Sequence, residues 1–144
     1  MSAYSLHKSF NDASLPASYD CRQIRLIAVL DGIITSAKQT ASTELEPHLE
    51  ELLSNILRQT VSENMHMFTI DYLAYEDHRQ DHFRICTTIA SIRYKAIRSL
   101  SIDDDLQSFR NILIQHISRH DQMLEQYLLT GILPINSELS STCY

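Results

Sequence analysis

Residues that break regular structure are scarce in this chain: two glycines and three prolines occur in 144 residues. An all-β fold needs many turns, and turns draw on those residue types, so the composition disfavours that class. Long apolar runs are missing as well. No stretch approaches the length of a membrane span, and Met1–Phe10 lacks the apolar centre of a signal peptide. Positive charge is in short supply, with 12 Lys and Arg against 18 Asp and Glu and a net charge of −6. No Lys/Arg stripe runs along the chain, which argues against a nucleic-acid surface. Cysteine is sparse: Cys21, Cys86 and Cys143 are odd in number and far apart. That pattern fits reduced thiols better than a disulfide framework. The expectation is a cytoplasmic protein with neither membrane nor nucleic acid as a partner.

What is present is helical periodicity. The length suits one domain, and a hydrophobic fraction of 44% is enough for a core without staples. Residues 1–16 are mixed and polar and read as an N-terminal arm. A first helix is expected from about Ser18 to Lys38, with Leu26, Ile27, Leu30, Ile33 and Ile34 inward and Gln23 one turn earlier on the same stripe. A second helix is expected to start on a capping box, Thr43 with Glu46, with Pro47 tolerated in the first turn. Its inward face is Leu49, Leu52, Leu53 and Ile56, continuing to Gln59, Glu63 and then His66 or Met67. Phe68–Ala74 reads as a tight link. The third helix, about Tyr75–Ser99, turns His78, His82, Ile85 or Cys86, Ile89, Ile92 and Ala96 inward. The fourth follows Ser101, with Asp103, Asp104 and Asp105 suited to its N-terminal dipole. Its stripe is Leu106, Phe109, Leu113, His116, then His120 or Met123, and Tyr127, and Gly131 and Pro134 end it. The spacing therefore predicts an all-α, up-down-up-down four-helix bundle over 17–130, preceded by the arm and followed by a tail at 131–144.

The chemistry lies in where the histidines fall. His78 and His82 are spaced H-x-x-x-H, which puts two imidazoles on one helix face, and that face is the inward one. Alone, such a pair in a charged stretch is more often a solvated face. Here Glu63, His116 and Asp121 fall on inward stripes of two other helices. Buried charge is costly unless paired or bound to metal, and imidazole with carboxylate suits iron, zinc or manganese. Helix geometry alone nominates His120, four residues after His116, before Asp121. His7 and His48 are expected to be exposed, and Cys86 to be a buried small hydrophobe.

These motifs resemble those of the bacterial hemerythrins over nearly the whole chain. Tyr19-Asp20-Cys21-Arg22-Gln23 with Leu26 is similar to the family's I-D-x-Q-H-x-x-L, with tyrosine for isoleucine and Gln23 where the family has a ligand histidine. Asp31 stands where the family often has asparagine. Tyr72-Leu73-Ala74-Tyr75-Glu76-Asp77-His78 resembles Y-P-x-L-E-E-H, and His82 completes its H-x-x-x-H. His116-Ile117-Ser118-Arg119-His120-Asp121 matches H-I-x-x-x-D. Counted back from His78 without gaps, the family's H-x-x-x-E falls on Gln59 and Glu63. An alternative that uses His66 and Asp71 needs a seven-residue deletion, breaks the Tyr72 match and puts Leu52, Leu53 and Ile56 out of phase.

The resemblance implies a non-heme diiron-type site. One iron takes three histidines, matched by His78, His82 and His116, and Glu63 and Asp121 match the two bridging carboxylates. The second iron, where the family binds dioxygen, takes two histidines, and both positions are glutamine here, Gln23 and Gln59. A glutamine carbonyl is a weaker, neutral donor. The expected cofactor is therefore iron, two ions or one. Gln23, Gln59, His66 and His120 remain as weak ligands or supporting groups. The implied function is dioxygen or redox-related binding or sensing, with dioxygen or another small molecule as the ligand, protein partners unknown, and no residue assigned a catalytic role. The competing readings are an iron enzyme that consumes peroxide, and a metal-poor bundle used for protein interaction.

Overall fold

In the computed structural model, residues 21–133 are described, with Cys21 through its backbone alone. The arm at 1–16, the expected first turn from Ser18, Cys143 and the tail from Pro134 lie outside them. The described residues are all-α, with no strand. Helix α1 is Cys21–Ala37, α2 is Ser42–Thr69, α3 is Tyr75–Ile97 and α4 is Asp103–His116. A π-helical turn, Ile117–Asp121, carries α4 directly into α5, Gln122–Thr130. The chain divides into two compact units, 29–110 in one, and 21–28 with 111–133 of the described residues in the other.

Unit 29–110 is organised around an antiparallel pair, α2 and α3. Arg93 Nε donates to Glu46 Oε1 at 2.7 Å, Thr60 meets Cys86 at 3.7 Å, and Asn64 meets His82 at 2.6 Å. Residue numbers rise along one helix as they fall along the other. Every third or fourth residue of α3 is buried: His78, His82, Ile85, Ile89, Ile92 and Ala96. On α2 the buried set is Leu45, Leu49, Leu52, Ile56 and Met67. Where the sequence left two choices, Ile85 and Met67 are buried, Cys86 is half-buried and His66 is exposed. Phe109 is fully buried in the same unit, and Arg110 reaches Asp31 with two nitrogens, at 2.6 and 3.3 Å.

The link Ile70–Ala74 follows from how α2 ends. Asp71 takes a left-handed conformation, φ 54°, and Tyr72 N bonds back to Met67 O at 3.0 Å. That six-to-one closure usually uses glycine, but aspartate tolerates it better than most residues. Tyr72 is then carried inward and buried. Ser99, φ 60°, closes α3 in the same way, with Leu100 N on Lys95 O at 2.9 Å.

One sequence expectation needs correction. Helix α2 begins at Ser42, with Ala41 as its N-cap and no side-chain cap. Thr43 is therefore inside the first turn, and the Thr43–Glu46 capping box does not form. Glu46 pairs instead with Arg93 on α3.

In the other unit, Ile24, Leu26, Ile27, Leu113, Ile114, Ile117, Met123 and Leu124 are buried. Its helical run ends at Gly131, φ 73°, whose N–H bonds Tyr127 O at 2.7 Å. Only a residue without a Cβ adopts that conformation at no cost, so the stop is written in the sequence. No helix among the described residues is long and apolar enough to cross a membrane.

Candidate metal centre

A cluster of His, Glu and Asp side chains could hold a metal ion. Within unit 29–110, Glu63 of α2 and His78 and His82 of α3 bring their ligand atoms within 4.8 Å of one another. The two histidines are one α-helical turn apart, so both rings point the same way, with centroids 4.6 Å apart. Both Nε2 atoms converge on a single oxygen, Glu63 Oε1, at 2.8 Å for His78 and 3.1 Å for His82. His78 is 0% exposed and His82 4%, while the Glu63 side chain keeps 27%.

Asn64 fixes what His82 can offer. Its Oδ1 lies 2.6 Å from His82 Nδ1 and accepts the ring proton there. A neutral imidazole protonated at Nδ1 has a bare lone pair at Nε2. That lone pair points at the Glu63 carboxylate. Two electron-rich atoms hold this spacing only with a proton or a metal cation between them. Histidine ligands of metals are oriented by such a partner on the other ring nitrogen. The sequence reading missed Asn64. Its only signal is its place beside Glu63, and its role depends on the α2–α3 register.

Within the other unit, His116 Nε2 lies 3.0 Å from Asp121 Oδ1. The π-helical turn makes this contact. Five residues span about 140° around an α-helix of ~3.6 residues per turn, which would carry Asp121 away from His116. The i→i+5 turn of a π-helix brings the pair back to one face, and such turns recur at functional sites. His120, which α-helical geometry would have chosen, is buried and stacks on His116, ring centroids 5.4 Å apart and 29° between planes. Gln23 Nε2 donates to Asp121 Oδ2 at 2.6 Å.

The distances suit a metal. A first-row ion bonds imidazole nitrogen and carboxylate oxygen at about 2.0–2.2 Å, so neighbouring ligand atoms at right angles sit roughly 3.0 Å apart. The contacts of 2.8, 3.1 and 3.0 Å have that spacing, which a direct N–H···O hydrogen bond shares. Of the remaining expected residues, Gln59 is half-buried on α2, and His66 and Asp71 are exposed. His48 is exposed, and His7 lies outside the described residues. Burial pushes the Cys86 thiol up, opposed by its contact with Thr60. Comparison with protein-family models, with curated proteins and with solved structures finds no match to this chain.

Proposed function

We propose that Glu63, His78 and His82 act together with His116 and Asp121 to coordinate iron, in a hemerythrin-like protein that binds or senses dioxygen or a related oxidant. The observation that carries this reading is the orientation of His82. With its Nδ1 proton accepted by Asn64, a neutral His82 turns an Nε2 lone pair to a carboxylate in a buried setting, an arrangement a cation relieves.

Iron would supply the affinity for an oxidant. The chain's own residues hold the site: Asn64 and Glu63 aim the α3 imidazoles, and the π-helical turn aims His116 with Asp121. Iron rather than zinc or manganese rests on the resemblance of the H-x-x-x-H and H-I-x-x-x-D motifs to those of hemerythrins. Elemental analysis of the purified protein, with its optical spectrum in air and under anaerobic conditions, tests the reading. Expected are iron at one or more equivalents per chain and a spectrum that changes on admitting air. A helical protein that holds no transition metal, even after incubation with ferrous iron, would overturn it.

A further inference from the structure

Resting on that proposed site, we infer that it takes one ion rather than two, because Gln23 occupies the place of a second and holds Asp121 as a terminal ligand. The two oxygens of Asp121 have different neighbours. Oδ1 lies 3.0 Å from His116 Nε2. Oδ2 accepts from Gln23 Nε2 at 2.6 Å. A carboxylate that bridges two ions must give one oxygen to each. Here the second oxygen is met by an amide nitrogen, which donates protons and has no lone pair for a metal. The amide hydrogens and a cation would compete for the same place, and like partial charges exclude each other.

Glutamine at this position is then a positioning group rather than a poor ligand. Its hydrogen bond keeps Oδ1 aimed at the His116 side. Turned about, the amide would put its oxygen against Oδ2, and two oxygens at 2.6 Å repel unless a cation separates them. A second ion would therefore have to break a short hydrogen bond to a charged acceptor, of the stronger class.

The test is anaerobic titration of the metal-stripped full chain with ferrous iron, followed by calorimetry and by metal analysis after desalting. The wild type should bind one ion. Gln23→Met, of similar length but without a donor, should still bind one, about 10–100-fold more weakly, the usual effect of losing a partner that orients a ligand. Gln23→His, which can turn a ring lone pair toward the Oδ2 side, should admit a second ion. A purely space-filling role for Gln23 leaves affinity unchanged in Gln23→Met. Two ions in the wild type, unchanged affinity in Gln23→Met with its helical content intact, or a single ion in the folded Gln23→His variant would each overturn the inference. No ion in the wild type overturns the proposed site itself, a different result from any of these.

Discussion

His78 and His82 stand four residues apart on an unbroken α-helix, whereas His116 and Asp121 stand five apart and meet only through a π-helical turn. Both pairs present ligand atoms to one side, but by different means. The first pair needs nothing beyond 3.6-residue periodicity. The second needs a local departure from it. The supporting partners differ likewise. Asn64 orients an imidazole in unit 29–110, and Gln23 orients a carboxylate in the other. A regular helix fixes where a ligand points once its register is known. An irregular one fixes it only through the backbone that the surrounding packing selects.

The largest expected effect is on the regular side. His78→Ala or His82→Ala should remove most of the metal, exceeding the roughly 10–100-fold loss typical of an outer partner, because in the proposed site both rings serve one ion. Metal content at the wild-type level in both variants would show that the α3 pair is a solvated or merely hydrogen-bonded pair.

Acid should come next. Coordinating imidazoles must be neutral, and a free imidazole has a pKa of about 6.5, so protons compete increasingly as the pH falls through and below that value. Metal release, followed by analysis after desalting, should precede loss of helical circular dichroism. Release that coincides with unfolding would mean that the metal depends on the fold rather than on the histidines.

Asn64→Ala should weaken metal binding by about 10–100-fold with little loss of helicity, since it removes the acceptor that fixes the His82 tautomer. Set beside Gln23→Met, it compares the two orienting partners directly. Equal affinity in wild type and Asn64→Ala would remove the lone-pair argument for His82.

The smallest effect concerns Cys86, one turn past His82. Burial raises its thiol pKa, so less thiolate is present near neutral pH than for an exposed cysteine. Site-resolved alkylation of Cys86 should be slow at pH 7 and should rise as the pH climbs through the raised value. Rapid labelling at pH 7 would show that the α2–α3 pair opens there.

Much of this was legible in the residues. The inward stripe of α3 follows directly from spacing, and its six buried residues are the expected ones. Gly131 marked a helix end because its conformation requires glycine. Other features were hidden for identifiable reasons. The π-helical turn breaks the period that sequence reading assumes, so periodicity pointed to His120 and only the H-I-x-x-x-D resemblance pointed to Asp121. The Gln23–Asp121 hydrogen bond joins residues 98 apart, and no local pattern encodes it. Asn64 reads as an ordinary polar neighbour until α3 is laid beside α2. Thr43 misled because the helix starts earlier, at Ser42 with Ala41 as N-cap, and Glu46 pairs with Arg93.

The central claim is that His78 and His82 of α3 serve one metal together with Glu63 of α2. The measurement that tests it most directly is ferrous-iron content of Glu63→Gln beside His82→Ala and wild type, under identical loading and desalting. The claim predicts metal in the wild type and loss of most of it in both variants, with helicity retained. Full metal content in both folded variants would contradict it, because the groups that converge between α2 and α3 would then not be what holds the ion.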